Sequence, residues 1–415
     1  MTPPTTAVAP TAVRKATAAT YVAFIGSGFT FASWAARIPQ IRDRLDLDSV
    51  ALGLVLLAIA VGSLLALPLS GPVVTRFGSG RTVRTMAVLV GVGLATAALG
   101  SLLGVVPVVV GLFLLGFGNG AWDVAMNVQG TVVERRLGRS IMSRFHAGFS
   151  VGTVAGALLG AAMVALHIPV AVHLVAVALA VMFSVVWYTR KFLADHDETE
   201  PAAAAEADVP RRSALTAWRE PRTLLVGLFV LAFAFAEGVG NDWISIAAID
   251  GHGVSATLGT LAFATFLTTM TVGRWFGPGL LDRYGRVPVV RVLALIGIAG
   301  VALFVFGPSP AWAFAGTLLW GLGASLGFPV GMSAGGDDPR RAAARVSVIA
   351  SIGYCAFLTG PPTIGFLGHQ ITVLRALIVV AALLTMATLI AGSVRPLVPA
   401  SAAALAEDAE PARAG

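Results

Sequence analysis

Charged residues are scarce in this chain. Of its 415 residues only 12% are Asp, Glu, Lys or Arg, whereas 57% are hydrophobic. A water-soluble domain carries about 25% charged residues, so this chain has too little polar surface to cover a globule in water. The high apolar content also excludes a disordered chain of low complexity. The composition therefore predicts an integral membrane protein.

Lysine and cysteine are almost absent. A P-loop needs the pattern G-x-x-x-x-G-K-[ST], and the only two lysines, Lys15 and Lys191, each follow an arginine instead of a glycine. The sequence also lacks G-x-G-x-x-G and H-E-x-x-H patterns. The single cysteine, Cys355, excludes an internal disulfide and a cysteine metal cluster, and its apolar surroundings favour a packing role. We expect no nucleotide, no metal and no cofactor.

One short pattern is similar to that of a hydrolase, because Gly148-Phe-Ser150-Val-Gly152 matches G-x-S-x-G. In hydrolases this serine lies on a strand-to-helix turn. Here glycine recurs at every fourth position from 148 to 160, which is a stripe of small residues that lets membrane helices approach closely. The stripe explains the pattern without chemistry, so we do not expect an enzyme.

Long apolar runs dominate the chain. A hydrocarbon core about 30 Å thick is crossed by around 20 apolar residues in a helix, and these runs lack the alternation of a barrel strand. Twelve runs, named span 1 to span 12 below, lie at 17–36, 50–70, 83–104, 106–128, 145–166, 170–188, 223–244, 257–277, 287–306, 312–334, 345–367 and 372–394. The predicted fold is all-α, with twelve transmembrane helices.

Basic residues cluster on one side of these spans. Roughly 24 of the 28 lysines and arginines share the side of the N-terminus, which the positive-inside rule assigns to the cytoplasm. Only Arg37, Arg42, Arg44 and Arg375 fall on the outer side. We expect an inner-membrane protein with both termini in the cytoplasm.

A polar stretch at 189–222 divides the spans into two groups of six. It is rich in acids, alanine and arginine, and it predicts a cytoplasmic linker, with or without a short surface helix. The expected organisation is a cytoplasmic N-terminal tail at 1–16, a six-helix bundle at 17–188, the linker at 189–222, a second bundle at 223–394 and a cytoplasmic C-terminal tail at 395–415.

The two groups of six repeat short patterns in the same order. Residues 70–78 after span 2 parallel residues 277–285 after span 8, which places Arg76 and Arg283 207 positions apart. Further parallels are 116–120 with 321–325, and 149–152 with 350–353. These similar offsets predict two pseudo-symmetric bundles. Prolines at Gly327-Phe-Pro329 in span 10 and Gly360-Pro-Pro362 in span 11 are predicted to break or kink their helices.

This organisation resembles the major facilitator superfamily over nearly the whole chain. The loop at 277–286 is similar to the family's G-x-x-x-D-R-x-G-R loop between helices 8 and 9, whereas the first copy has Thr75 where the second has Asp282. The resemblance implies a charged cytoplasmic gate, and simple positive-inside anchoring is the alternative. The residues assigned to this gate are Arg76, Arg81, Asp282, Arg283 and Arg286.

Within the superfamily, Asp123-Val-Ala-Met-Asn127 in span 4 and Ile38-Pro39-Gln40 after span 1 resemble elements of fucose-permease-like sugar transporters. That branch carries an acid shortly before its Pro-Gln, where this chain has Trp34-Ala35-Ala36-Arg37. Some antiporters of the superfamily carry a Gly-Pro pair in helix 5, which this chain lacks. The resemblance implies a small, sugar-like solute and lowers the expectation of drug efflux.

Few spans contain ionisable side chains, which cost at least about 2.5 kcal/mol at the centre of a membrane helix. Span 4 carries polar residues at a spacing of four, which places them on one face: Asn119, Asp123 and Asn127. Span 7 carries Glu237, Asn241 and Asp242. In the family that the chain resembles, helices 1, 4, 7 and 10 line a central cavity. We hypothesise that Asp123 and Glu237 change protonation during transport. The alternatives are an arginine pair for Asp123 and neutral packing for Glu237.

Aromatic residues near these stripes are candidates for stacking on a solute, with packing or interfacial anchoring as the alternative. For Arg37 three roles are open: attracting an anionic substrate, pairing with an acid across the outer mouth, or serving as an ordinary loop arginine. The predicted substrate-binding residues are Trp34, Arg37, Asn119, Trp122, Asp123, Asn127, Glu237, Asn241, Asp242, Trp243 and Tyr354.

The expected function is secondary transport of a small polar solute by alternating access, driven by proton symport. Proton-coupled efflux is one alternative, and a non-transporting membrane sensor or scaffold of the same fold is another. The expected partners are the solute, protons and the lipid bilayer. We expect no nucleic acid and a functional monomer.

Overall fold

The computed structural model describes residues 10–138, 141–195, 216–338 and 341–397. These residues form long helices and contain no strand. The short surface helix considered for the linker falls mainly on 196–215, outside the described residues. The same holds for residues 1–9 and 398–415 of the two tails.

Eleven of the helices are long and apolar enough to cross a membrane. Spans 2 to 12 are, in order, Ser49–Phe77, Ser79–Gly100, Val105–Leu137, Met142–Ala165, Val170–Lys191, Pro221–His252, Ala256–Tyr284, Arg286–Phe306, Pro310–Gly335, Ala342–Ile371 and Val373–Val394. Span 1, Pro10–Ala35, has 26 residues and completes the set. Its polar Thr17, Thr20 and Thr30 donate to carbonyls four residues earlier, so these hydroxyls need no water. The prediction of twelve transmembrane helices is confirmed.

Several helices extend beyond the apolar runs at one end of the molecule. This end, called the basic end below, carries the start of span 1 and the loops with Arg76 and Arg283. Span 4 continues to Leu137 and span 8 to Tyr284. The helices are longer than the apolar runs because helical backbone hydrogen bonds also form where the side chains are polar. An apolar run marks only the part of a helix that lies in the hydrocarbon core. The opposite end, called the distal end, carries a short helix at Ile38–Arg44.

The two bundles share backbone features at matching positions, as the repeats predict. Gly78 and Gly285, which end spans 2 and 8, both have φ +80°, a conformation that favours glycine. In the first bundle a Cβ on Gly93 would lie 2.6 Å from the Leu115 nitrogen of span 4. In the second bundle a Cβ on Gly300 would lie 2.4 Å from the Trp320 nitrogen of span 10. Both bundles therefore pack their third and fourth helices through glycine.

The prolines behave differently in spans 10 and 11. Span 10 is interrupted between Pro310–Ala324 and Gly327–Gly335, because Pro329 has no N–H to donate to the carbonyl of Ser325. Span 11 remains one helix through Pro361 and Pro362. The predicted break is therefore confirmed in span 10, while in span 11 the helix is continuous. Cys355 of span 11 is exposed, so the packing role predicted for it is wrong.

Candidate substrate cavity

The polar face of span 4 is open in the structure. Asp123 is exposed and Asn127 is partly exposed, and the face continues to the exposed Thr131 towards the basic end. Asn119 accepts a hydrogen bond from Ser27 Oγ of span 1 at 2.7 Å. The Asn127 amide donates to the Asp123 carbonyl at 2.8 Å and lies 3.4 Å from its carboxylate. These contacts hold the face in place.

Asp123 has no ion pair with a described residue. The arginine pair considered for it in the sequence analysis is therefore not formed in this conformation.

Span 7 is enclosed except for one polar patch. Between Ala232 and Ala248 every residue is buried apart from Glu237, Gly238, Asn241 and Asp242, which are partly exposed. A face towards lipid would expose apolar side chains, so this patch faces the interior of the protein. The Asn241 Oδ1 atom is buried without a hydrogen-bond donor, and Asp242 has no ion pair among the described residues. The three polar residues predicted in span 7 thus share one patch.

Glu237 is ion-paired with Arg274 of span 8, a residue that is absent from the predicted site. The Arg274 Nη2 atom lies 2.6 Å from Glu237 Oε2. Its Nε atom donates to the Ser325 carbonyl at 3.2 Å, which is the acceptor that Pro329 leaves free. The neutral packing role considered for Glu237 does not fit this geometry. A charged residue inside a span is itself a signal for a functional site, and Arg274 lies inside the apolar run 257–277.

Groups from the two bundles approach one another at this level. Asp123 of span 4 is close enough to act electrostatically on Tyr354 of span 11. Arg274 of span 8 is close enough to act on His146 of span 5. Tyr354 is partly exposed. Asp123 and Tyr354, one from each bundle, therefore lie within electrostatic range of each other. The partly exposed polar faces that carry them define the candidate cavity.

Three tryptophans of the predicted site do not line this cavity in the present conformation. Trp34 is 1% exposed, and Trp122 and Trp243 are fully enclosed. Their indole N–H groups have no hydrogen-bond partner. A solute cannot stack on an enclosed ring, so packing describes these three residues here.

Arg37 is also away from the cavity. Its side chain is buried, with Nε donating to His173 Nδ1 at 3.0 Å and Nη2 donating to the Ile168 carbonyl at 2.9 Å. Burial lowers the pKa of Arg37 to about 10, because a guanidinium ion is poorly solvated there. Arg37 therefore ties the end of span 1 to span 6. In this conformation it is neither open to an anionic substrate, nor paired with a described acid, nor an ordinary loop arginine.

The bundles are joined at the distal end. Both terminal nitrogens of Arg42 donate to the carboxylate of Asp250, at the end of span 7. Burial opposes the charged form of Arg42, but the hydrogen bonds and charges of Asp250 and Asp43 outweigh it and raise the pKa. Below this pair, a Cβ on Gly53 of span 2 would lie 2.6 Å from the Pro361 carbonyl of span 11. No sequence signal pairs two residues that are 208 positions apart.

The predicted gate is not engaged at the basic end. Arg76, Arg81, Asp282 and Arg283 are exposed, and the guanidinium groups of Arg76 and Arg283 lie over the rings of their neighbours Phe77 and Tyr284. Arg286 contacts Asp337 at 2.7 Å within its own bundle. Where both partners belong to the described residues, the hydrogen bonds and ion pairs between the bundles lie at the distal end. The cavity is therefore closed at the distal end and open at the basic end.

Each bundle has its own polar network at the basic end. In the first bundle Ser79 donates to the Asp195 carboxylate through its backbone N–H and its hydroxyl. The side-chain amide nitrogen of Gln129 donates to Ser79 Oγ at 3.0 Å.

In the second bundle Asp337 binds Arg222 and Arg286, and Glu220 binds Arg345 and Arg341. Burial raises the cost of ionising Glu220, but hydrogen bonds from Arg345, Thr223 and Arg341 together with the charge of Arg345 outweigh it, so the pKa of Glu220 is lowered.

The described residues contain no group of three or more His, Cys, Asp or Glu side chains placed to hold a metal ion. The arrangement offers carboxylates, amides and a phenol around an open cavity. Such groups bind and release protons and polar solutes.

Comparison with known proteins identifies relatives in sequence and in fold. An uncharacterised MFS-type transporter of Yersinia pestis is 31% identical over 354 residues, which cover 84% of this chain and 88% of that one. A solved variant of the nucleoside transporter NupG superposes with a TM-score of 0.75 over 92% of this chain and 99% of that chain, at 13% identity. The Escherichia coli fucose:proton symporter FucP gives a TM-score of 0.63 over 92% of this chain and 98% of that chain, at 15% identity. These two structures share the fold. A sequence profile of the Major Facilitator Superfamily matches residues 17–356, and the chain belongs to that superfamily.

Proposed function

We propose that this protein carries a small polar solute across the inner membrane by alternating access, in symport with protons, and that Asp123 is the proton carrier. The observation that supports this most is the state of Asp123, which lies on the exposed polar face of span 4 and has no cationic partner in the part of the chain that the structure describes. A carboxylate in the membrane is costly as a free anion. Taking up a proton removes that cost, and returning it to water on the other side completes a cycle.

The two ends of the cavity support alternating access. The distal end is closed by the Arg42–Asp250 pair and by the contact of Gly53 with Pro361, whereas the basic end is open. Positive-inside topology assigns the basic end to the cytoplasm, so this conformation is inward-open. Opening to the outside then requires the bundles to rock apart at the distal end, with the exposed loop arginines and Asp282 meeting at the basic end as the predicted gate.

Glu237 stays the second predicted coupling residue, but its geometry separates it from Asp123. Its carboxylate is ion-paired with Arg274 at 2.6 Å, whereas Asp123 makes no ion pair with a described residue, so the proton is assigned to Asp123.

Solute-driven proton movement tests the proposal. The protein is reconstituted into liposomes that contain a pH-sensitive dye, and sugars, polyols, amines, organic acids and drugs are added outside one at a time. Under symport an active solute entering the liposomes acidifies the interior, whereas exchange makes it more alkaline. Asp123→Asn is expected to abolish the signal, while Asp46→Asn, at an exposed position of the distal end, retains solute-driven flux of the same sign.

Two results would overturn the proposal. The first is the absence of any solute-driven proton movement across the panel, which would favour a sensor or scaffold. The second is full proton coupling in Asp123→Asn, which would assign the proton to another group. An alkaline signal would retain the transporter and replace symport by efflux.

A further inference from the structure

The cavity contains more negative charge than the protein neutralises. Three carboxylates lie on its walls, those of Asp123, Glu237 and Asp242. Arg274 is paired with Glu237. Two carboxylates, Asp123 and Asp242, are thus left without a cation among the described residues.

The two unpaired carboxylates are at different places in the cavity. Asp123 lies on span 4 opposite Tyr354, and the open face continues from it towards the basic end. Asp242 lies on span 7, five residues beyond Glu237 towards the distal end, which corresponds to about 7 Å along a helix. A single proton on Asp123 therefore leaves Asp242 uncompensated.

A carboxylate that is partly withdrawn from water is costly as a free anion. A ligand group that brings several N–H donors and a positive charge to Asp242 removes that cost.

We propose that the transported solute carries a protonated amine, and that the partly exposed Asp242 binds it. This rests on the proposed function and names the substrate class for the same cavity. Hydrogen bonds between an ammonium group and a carboxylate are roughly twice as strong as neutral ones. With the amine on Asp242 and a proton on Asp123, both free charges are neutralised together, which suits symport of a solute and a proton.

The sign of the cavity potential tests this without knowledge of the natural solute. Cys355→Ser removes the single native thiol, and Thr131→Cys places a new one on the open face of span 4. The rate at which this thiol is modified is measured with two methanethiosulfonate reagents, one with a cationic trimethylammonium-ethyl group and one with an anionic sulfonatoethyl group. Each rate is divided by the rate of the same reagent with a free thiol in solution. We expect the normalised rate of the cationic reagent to exceed that of the anionic reagent by at least about tenfold, and this ratio to fall when Asp242→Asn is added. Asp46→Asn, at an exposed position of the distal end, is the control and leaves the ratio unchanged.

Matched solutes give the second arm, in the liposome assay. Glucosamine is compared with glucose, and choline with 3,3-dimethylbutanol. We expect the active solutes to bear the amine, and Asp242→Asn to raise the half-saturating concentration roughly 30-fold or more. A thiol ratio of one or less, a ratio that Asp242→Asn does not change, or a neutral solute as active as its amine partner would each overturn the inference. Cation selectivity without solute-driven flux would retain the amine site and reject the proposed transport.

Discussion

The two bundles hold their central acidic residues in opposite ways. In the first bundle Asp123 is exposed to the cavity and has no cationic partner among the described residues. In the second bundle Glu237 is fixed by Arg274, which itself is held by the Ser325 carbonyl. The pseudo-symmetric fold thus places one ion-paired acid and one acid without an ion pair among the described residues on opposite walls. Under the proposed function the second of these, Asp123, exchanges the proton.

The basic ends show the same contrast. Ser79 and Arg286 follow the equivalent glycines Gly78 and Gly285, yet Ser79 takes part in hydrogen bonds with Asp195 and Gln129. Arg286 instead takes part in an ionic network through Asp337. The repeat therefore preserves backbone geometry and helix packing, while the charges differ between the bundles.

Removing Glu237, the acid that is ion-paired with Arg274, is expected to have the largest effect on stability. Glu237→Gln leaves Arg274 without an anion, and breaking a buried ion pair from one side costs about 3–5 kcal/mol. Because the two side chains are 19% and 28% exposed, we expect a loss near 3 kcal/mol. Asp123→Asn removes no ion pair and is expected to leave stability nearly unchanged. Thermal unfolding of the purified protein in detergent measures both.

The double variant Glu237→Gln with Arg274→Gln is the control for this prediction. It removes both charges, so we expect most of the lost stability to return. Equal thermal midpoints for Glu237→Gln and Asp123→Asn would contradict the distinction between the two acids, and would return Glu237 to the position of a proton carrier.

The sequence predicts the parts of this architecture that depend on local composition. Twelve apolar runs of about 20 residues are enough to place the spans, and a spacing of four is enough to place Asp123 and Asn127 on one face. The confirmed repeats also depend on local patterns, because glycines such as Gly78 and Gly285 mark turns that few other residues allow.

The remaining parts depend on contacts between distant segments. Arg274 lies near the end of an apolar run, where it is easily counted among the anchoring arginines, and its partner Glu237 is 37 positions away. The enclosure of Trp122 follows from its neighbours on other helices, which the periodicity of span 4 does not show. The pair of Arg42 with Asp250 exists only in one conformation of the two bundles, so a local pattern does not encode it.

Two glycines of span 2 separate contacts between bundles from contacts within one. A Cβ on Gly53 meets Pro361 of the second bundle, whereas a Cβ on Gly62 would lie 2.3 Å from the Phe113 carbonyl of the first. Gly53→Ala is expected to push the bundles apart at the distal end with little loss of stability. Gly62→Ala strains its own bundle and is expected to cost about 1–3 kcal/mol.

Spin labels measure the separation in this experiment. They are attached at Arg44→Cys and Gln370→Cys, which are exposed at the distal end, in a Cys355→Ser background. Gly53→Ala is expected to add a population at longer distance that Gly62→Ala lacks. Identical distance distributions for the two variants would show that the Gly53 contact does not control closure.

The smallest predicted effect concerns the ionic network at the basic end of the second bundle. The pKa of Glu220 is lowered in the folded state, so its stabilisation is complete above the pKa of an unfolded glutamate, about 4.3, and is lost as pH falls through the lower folded pKa. Glu220→Gln should therefore lower the thermal midpoint at pH 7 by an amount equivalent to at most about 1 kcal/mol, because one partner, Arg341, is exposed. The difference in thermal midpoint between Glu220→Gln and wild type should shrink as pH falls below 4.

The control lies in the first bundle. There Gln129→Leu removes an uncharged partner of Ser79, so its cost in stability should not vary with pH. A Glu220→Gln difference that is constant across this range would show that the two networks do not differ in charge dependence.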